Sequence, residues 1–156
     1  MENDISQGTF FNFSVFPLID PIEILKRCSG TNLKNLLVVI NVNEESEERL
    51  EFLTKILSAA KFDIKEDILL LKLSPKEAFG FIDLQTKVTQ SHPSGGINNL
   101  LVFGFEPKQF GLNVEVQKYN PFHFYKIGFL FADGLSMIEN DKSLKGALWG
   151  GMKKLF

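Results

Sequence analysis

Residues 36–60 have the sequence LLVVINVNEESEERLEFLTKILSAA, which predicts a strand, a turn and a helix in succession. The run Leu36–Ile40 is apolar and partly β-branched, as in a strand that is buried on both faces. After the turn, apolar side chains recur at spacings of three and four and so share one helical face: Leu50, Leu53, Leu57 and Ala60. A second apolar run, Ile68–Leu73, completes a β-α-β unit, and the two strands of such a unit are almost always parallel.

The turn in this unit has a composition that does not suit a bound phosphate. In α/β folds the loop after the first strand commonly holds phosphate through glycines and free amides at the helix start. Residues 41–48 contain no glycine and four glutamates, at positions 44, 45, 47 and 48. Glutamates suit the positive end of the helix macrodipole but would repel a phosphate. These carboxylates could bind a divalent cation, although a solvated first helical turn explains them without a ligand. We therefore expect an α/β domain whose usual ligand site is disabled.

The remaining patterns predict a three-layer α/β/α sandwich around a mostly parallel four-stranded sheet. We expect the third and fourth strands at Leu100–Phe103 and Tyr125–Phe131, with Val114 and Val116 as candidates for an extra edge piece. The 156 residues divide into a Phe-rich N-terminal arm, residues 1–17, and a single α/β domain, residues 18–156.

Several helix boundaries are predicted from capping residues. Asp20-Pro21 opens a short helix to Arg27, and Asp141 caps a final helix that ends near Leu155. Ser74-Pro75-Lys76-Glu77 matches a capping box, so we expect a helix there that Gly80 interrupts. Residues 86–98 are polar and are predicted to form a loop.

Composition and charge exclude several classes of protein. A net charge of −2 provides no polycationic surface for sequence-independent nucleic-acid binding, and we expect no direct sequence-specific contact with nucleic acid. The single Cys28 excludes an internal disulfide and fits a reducing compartment. No apolar run approaches the length of about 20 residues that spans a membrane, and the N-terminus lacks a signal-peptide pattern. We therefore expect a cytoplasmic protein.

Aromatic residues provide the candidate partner-binding surfaces. Sixteen phenylalanines are present, and Phe10, Phe11, Phe13 and Phe16 crowd into seven residues. These side chains either fill the core or form an arm that docks on a partner. Trp149 lies one position away from the apolar stripe of the last helix, where a boundary tryptophan suits either an interface or the rim of the core.

The motif His92-Pro93-Ser94 is the strongest candidate for catalysis. Uracil-DNA glycosylases carry a His-Pro-Ser loop on a similar α/β sandwich, and Asn41 and Asn43 would lie at the end of the first strand. The Gly-Gln-Asp-Pro-Tyr pattern of that family is absent, however, and Pro-Ser-Gly-Gly is also ordinary turn chemistry. Asn41, Asn43, His92 and Ser94 are therefore weak ligand candidates.

Metal and cofactor chemistry is not indicated. His123 lies in an aromatic surround, as a packed or surface histidine would. Two histidines, one cysteine and no spaced ligand cluster do not predict a metal site. No phosphate loop or nucleophile elbow is present, so we expect no cofactor and no catalytic residues.

The C-terminal segment 141–149, DKSLKGALW, resembles the Ala-Leu-Trp helix of the psi subunit of bacterial DNA polymerase III. Leu37–Asn43 looks like the first strand and turn of that family, and Leu53–Ala60 looks like the helix that follows. Residues 71–76, LKLSPK, resemble its second strand running into a helix start. The order and spacing of these segments carry the resemblance.

The resemblance implies a fold related to the uracil-DNA-glycosylase sandwich but without its catalytic residues. It also implies a bridging role in DNA replication, in which an N-terminal arm binds the clamp loader and the folded domain pairs with the chi subunit. Our first hypothesis is therefore a non-enzymatic adaptor that binds partners through the Phe arm and Trp149. The alternative is a nucleobase- or nucleotide-binding enzyme of the glycosylase-like class.

Overall fold

The computed structural model describes residues 18–91 and 95–156. The strands are β1 (Leu36–Asn41), β2 (Ile68–Leu73), β3 (Asn99–Phe103), β4 (Phe122–Phe124) and β5 (Ile127–Ala132). The α-helices of the described residues are α1 (Pro21–Arg27), α2 (Glu47–Ala59), α3 (Phe81–Ser91), α4 (Leu135–Glu139) and α5 (Lys142–Leu155).

The sheet has five strands in the order β2-β1-β3-β5-β4, so the expectation of four strands is wrong. β2, β1, β3 and β5 are parallel, and β4 pairs antiparallel with β5. The fifth strand is not the piece expected at Val114 and Val116, which lie outside the strands. It arises because Tyr125 and Lys126 both adopt positive φ angles, of 52° and 63°, and form the turn of a hairpin. These two residues were predicted to lie inside the fourth strand.

Helices cover both faces of the sheet and form the two outer layers of a sandwich. Successive residues of β1 face opposite sides, so Leu37 and Val39 pack with α1 and α3. Val38 and Ile40 pack on the other side with α2, α4 and α5. All of β1 except its last residue is buried, which confirms the prediction of a strand covered on both faces.

Much of the phenylalanine content of the described residues fills the core on the α1/α3 side. Phe79 packs edge-on against Phe110 with ring centroids 5.2 Å apart, and Phe81 packs against Phe129 at 5.5 Å. Phe122 of the edge strand stacks on Phe129 at 5.1 Å. Such pairs add to the free energy of simple apolar burial.

The predicted caps are confirmed at two helices, and a third helix has a cap at Ser46 that was not predicted. The Asp20 carboxylate accepts a hydrogen bond from the Ile22 N–H at 2.8 Å, and Ser46 Oγ accepts from the Arg49 N–H at 3.1 Å. At α5, Asp141 accepts from the Ser143 N–H at 2.9 Å and also from that of Leu144. The helices that start at Pro21 and Lys142 thus begin where their predicted capping residues indicated.

The helix predicted from the Ser74 capping box does not form. Part of the box is present, since Glu77 Oε1 accepts a hydrogen bond from the Ser74 N–H at 2.8 Å. The Pro75 carbonyl accepts from the amide of the buried Gln109 instead of from the Phe79 N–H, which donates to the Gln109 carbonyl. Tertiary hydrogen bonds therefore replace those of a helix.

The helix α3 begins after Gly80 and extends through residues 86–91, which were predicted to belong to a loop. Phe81, Leu84 and Val88 form its buried stripe, and polar side chains cover its outer face. The Gln85 side chain accepts a hydrogen bond from the Ile97 N–H at 2.6 Å and donates one to the Ile97 carbonyl at 2.7 Å. These bonds fix the start of β3 beside α3. Within residues 18–91 and 95–156, no helix has the length and apolar character needed to cross a membrane.

Candidate functional site

The turn after β1 is organised by its own polar side chains. Asn41 Oδ1 accepts a hydrogen bond from the Asn43 N–H at 2.8 Å and thereby caps the 3₁₀ turn Val42–Glu44. The Asn43 side chain is exposed. The two asparagines proposed as ligand candidates are therefore neighbours, and Asn41 is engaged in a local cap.

Glu44 leaves this turn and reaches the start of α4. Its Oε2 atom accepts a hydrogen bond from the Ser136 N–H at 2.8 Å. The N-cap position of α4 is Gly134, which has no side chain to offer to the free amides there. Glu44 therefore supplies the acceptor that a capping side chain would provide.

This contact lies at the carboxyl edge, the edge of the sheet formed by the C-terminal ends of the parallel strands. The chain passes from β1 to β2 on one side of β1, and then crosses to β3 on the other side. The direction in which successive strands are added to the sheet therefore reverses at β1. In open α/β sheets, ligands bind in the crevice outside such a reversal, commonly at a helix N-terminus. The Glu44 carboxylate lies at this edge and is bonded to a free amide at the start of α4.

Two glycines allow the loops to pack closely at the carboxyl edge. A Cβ atom on Gly134 would lie 2.5 Å from Glu44 Oε1. A Cβ on Gly104, whose φ is +85°, would lie 3.3 Å from the Gly134 Cα atom. The loops after β3 and β5 therefore touch, and the space between them is taken up by backbone and by Glu44.

The other three glutamates of the turn have different surroundings. Glu45 forms an ion pair with Lys72, the partly exposed residue near the end of β2. Glu47 and Glu48 lie in the first turn of α2 and are exposed, which agrees with a solvated helix start. Within residues 18–91 and 95–156, no group of three or more His, Cys, Asp or Glu side chains is placed to hold a metal ion.

Further along the carboxyl edge, Asp133 joins the chain after β5 to the segment before β4. Its carboxylate accepts hydrogen bonds of 2.6 Å from Lys118 Nζ and from the Tyr119 hydroxyl. Burial alone would raise the pKa of Asp133, but these two bonds outweigh it and hold the pKa below its ordinary value. Burial and the bond to Asp133 raise the pKa of Tyr119, so its hydroxyl stays protonated and donates a hydrogen bond to Asp133.

A cleft of about 400 Å³ lies beyond this cluster, beside the ends of β3 and β5. Phe105, Val114, Val116 and Phe131 supply its apolar walls, and Glu106, Glu115 and Lys118 line it as well. Its volume is that of a small-ligand site. Neither Asn41 nor Asn43, the two ligand candidates among the described residues, lines it.

Two of the four predicted ligand candidates, Asn41 and Asn43, lie among the described residues. His92 and Ser94 lie outside the described residues. The Gly96 carbonyl, two residues after Ser94, accepts a hydrogen bond of 2.7 Å from Asn35, which precedes β1. Asn41 ends the same strand, about 20 Å away at some 3.3 Å per residue. Gly96 therefore lies near the amino edge, the edge formed by the N-terminal ends of the parallel strands, and Asn41 lies at the opposite, carboxyl edge.

Cys28 and His123 have structural surroundings. Burial raises the pKa of the Cys28 thiol to about 12, so the reactive thiolate is strongly disfavoured at neutral pH. Its Sγ atom lies 3.4 Å from the Ile24 carbonyl, to which the thiol donates. His123 is an exposed residue of the edge strand β4.

Trp149 lies in an apolar groove between α2 and α5, on the face of the sandwich away from α1 and α3. The groove contains a cavity of about 230 Å³. Its apolar lining residues are Phe52, Ile56, Ala59, Ile138, Leu148, Trp149 and Met152. Trp149 is 40% exposed, as its predicted boundary position implies. This α2/α5 groove was not predicted from the sequence, although the Trp149 side chain that lines it was singled out.

Charges are distributed unevenly along the α2/α5 groove. Glu48, Glu51 and Glu139 line its end near the helix N-termini. Lys55 and Lys145 line the central cavity, and Lys153 lines the continuation towards Phe156. The Lys145 ammonium lies 5.8 Å from the centre of the Phe52 ring, in cation–π range.

The described chain begins on the side of the sheet opposite the α2/α5 groove. Phe10, Phe11, Phe13 and Phe16 lie outside the described residues, as does the whole arm. The described chain begins at Leu18, which bridges to Ala78, and Ile19 packs into the core on the α1/α3 side. Trp149 lies on the opposite side of the sheet.

No protein-family model matches this sequence, and no curated protein matches it either.

Proposed function

We propose that this chain is a non-enzymatic protein–protein adaptor, comparable to the psi subunit of DNA polymerase III and acting in DNA replication. The observation that carries the proposal is the hydrogen bond between Glu44 and the Ser136 N–H at the carboxyl edge. In this architecture ligands usually bind at the carboxyl edge, and a carboxylate there disfavours an anionic ligand, which supports a role for the outer surfaces.

Two further observations support an adaptor role. The side chains that would be candidate nucleophiles or bases, Cys28 and His123, lack the surroundings that would activate them. The α2/α5 groove exposes Trp149, and tryptophan is among the residues most enriched at interfaces. The ordered resemblance to the psi subunit supplies the proposed partners, which are clamp-loader and chi-like subunits.

Affinity capture with the full-length chain, followed by mass spectrometry, tests this function. We expect recovery of clamp-loader or chi-like subunits. In a full-length variant with Phe10, Phe11, Phe13 and Phe16 all changed to Ser, we expect loss of whichever partner binds the arm. Recovery of no replication protein by the unmodified chain, with that chain running as a clean monomer, would contradict the proposal.

The competing function is excision or binding of a nucleobase. It would draw on Asn41, Asn43, His92 and Ser94, but Asn41 and the chain after Ser94 lie near opposite edges of the sheet. An assay for release of uracil from single-stranded DNA addresses it directly. Excision that is lost in His92→Ala would overturn the adaptor proposal in favour of the enzyme.

A further inference from the structure

We propose that the α2/α5 groove binds a segment of a partner protein in which one bulky apolar side chain has carboxylates beside it, on the side towards Phe156. This inference rests on the proposed adaptor function and specifies the chemistry of one partner.

The size of the central cavity favours a side chain over a free small molecule. At about 230 Å³ it is below the usual range for ligand pockets, roughly 300–1,000 Å³. A cavity of this volume accommodates a single Leu, Met or Phe side chain. Protein interfaces are commonly anchored by one such side chain in a well-packed pocket. Apolar atoms from Ile56, Trp149 and Met152 would contact the anchor.

The charges around the cavity favour carboxylates beside that anchor. Lys55 and Lys145 both line the cavity, and no carboxylate of the described residues does. Lys55 has an ion pair with Glu51 at 3.4 Å, but both side chains are more than 60% exposed, so the pair holds Lys55 weakly. Lys153 extends the positive charge towards Phe156, whereas glutamates line the opposite end of the groove. A partner with Asp or Glu on the Phe156 side of its anchor would therefore meet these lysines.

The phenylalanine cluster of the N-terminal arm lacks the chemistry that these lysines favour. Residues 10–16, FFNFSVF, contain no carboxylate. The lysines of the groove therefore favour a different, acidic occupant over this cluster.

A second copy of the chain is also disfavoured as the occupant. Two copies related by a two-fold axis through the groove would place the same patch against itself. Lys55 and Lys145 of both copies would then gather around the axis, and like charges brought together at an interface disfavour association. An acidic partner has no such conflict.

Trp149 is the only tryptophan of the chain, so its fluorescence reports on the groove directly. The probes are two synthetic peptides of about 15 residues, near the shortest length at which an isolated helix is marginally stable. Both lack Trp and Tyr and carry the same Leu/Phe stripe at helical spacing. One carries Glu beside the stripe, and the other carries Lys at those positions.

We expect the Glu peptide to shift the Trp149 emission to the blue in a saturable manner. It should bind about 5-fold or more tightly than the Lys peptide. Lys145→Glu should weaken binding of the Glu peptide and strengthen binding of the Lys peptide. Lys76→Glu, which changes an exposed lysine outside the groove by the same charge, should leave both affinities unchanged.

A reversal of preference in Lys145→Glu cannot be produced by simple loss of folding, and far-UV circular dichroism of each variant checks its fold. Equal binding of the two peptides, or no emission change with either, would overturn the inference. So would concentration-dependent self-association that Trp149→Glu abolishes, because a second copy would then cover the groove.

Failure of this inference is distinguishable from failure of the adaptor function. Capture of clamp-loader or chi-like subunits that is unaffected by Lys145→Glu would leave the adaptor proposal standing and overturn the groove assignment. Selective peptide binding without capture of any replication protein would support the groove assignment and contradict the replication role.

Discussion

Glu44 and Ser136 are 92 residues apart in the chain and are joined by a 2.8 Å hydrogen bond from the Ser136 N–H to the Glu44 carboxylate. The bond couples the turn after the first strand to the helix after the last strand. It satisfies one of the free amides of α4 with a charged acceptor, the combination that a bound anion would otherwise provide.

Removal of the Glu44 carboxylate should destabilise the fold measurably. We expect Glu44→Ala to lower the free energy of unfolding by about 1–2 kcal/mol, because the Ser136 amide loses a charged acceptor. Glu44→Gln keeps an acceptor oxygen and should cost less. Glu47→Ala removes an exposed glutamate of the same region and should cost about 0.5 kcal/mol or less. Urea denaturation at pH 7 measures all three, and equal stability of the 44 and 47 alanine variants would contradict the assignment.

The effect of Gly134→Ala on the stability of the fold should change sign when the Glu44 side chain is removed. In the unmodified chain, Gly134→Ala places a Cβ atom 2.5 Å from Glu44 Oε1 and should displace the carboxylate from Ser136. The φ of Gly134 is −61°, which alanine adopts without strain. In the Glu44→Ala background, the same substitution should therefore stabilise the fold by about 0.4–1 kcal/mol. A double-mutant cycle measures this coupling, and additive effects would show that the two residues do not interact.

Asp133 should contribute to acid unfolding. Its pKa in the fold lies below the unfolded value of about 3.9, so its ionised form stabilises the fold above that pH. This stabilisation is lost as the pH falls through the lower pKa of the folded state. At pH 7 we expect Asp133→Asn to cost about 1–2 kcal/mol, and the difference from the unmodified chain should shrink below about pH 4.

Thermal unfolding between pH 7 and pH 3 measures this effect. Glu66→Gln, at an exposed position, is the control for removal of one negative charge. A stability difference between Asp133→Asn and the unmodified chain that stays constant down to pH 3 would contradict the proposed role of the ionised carboxylate.

The sequence predicted the parts of the fold that depend on local patterns. β1, β2 and α2 were predicted from their apolar runs and spacing, and in α5 the apolar spacing agrees with the capping residue Asp141. The hairpin was missed because Tyr125 and Lys126 adopt positive φ without the Gly or Asn that usually marks such a turn. The helix expected after Ser74 does not form because the Gln109 side chain takes the Pro75 carbonyl as its acceptor. No local pattern could reveal this contact, because the two residues are 34 positions apart.

The candidate site was predictable only in part, for a related reason. The four glutamates of the turn after β1 were predicted to be unsuited to phosphate, but they appear equivalent in the sequence. Only the packing of α4 against the turn distinguishes Glu44 from Glu47. The α2/α5 groove likewise requires knowledge of which helices are neighbours. Trp149 could be placed at a helix boundary, whereas Phe52, on the other helix, could not be paired with it.

The adjacent glycines of α5 provide a test of how that helix packs on the sheet. A Cβ on Gly150 would have no atom within 4 Å, whereas a Cβ on Gly151 would lie 2.6 Å from the Tyr119 carbonyl oxygen and 3.0 Å from Leu130 Cδ1. Gly150→Ala should stabilise the fold by about 0.5–1 kcal/mol, because alanine is the better helix former. Gly151→Ala has the same propensity gain but should destabilise by about 1–3 kcal/mol, because the backbone oxygen cannot move aside cheaply.

Since the two substitutions are chemically identical and one residue apart, the difference between them isolates the contact of α5 with the segment before β4. Denaturant unfolding of both variants measures it. If the two variants change stability in the same direction, α5 does not pack closely against Tyr119. The helix would then lie further from the sheet. Leu148 and Met152, which line the α2/α5 groove from the same helix, would also lie further from the sheet.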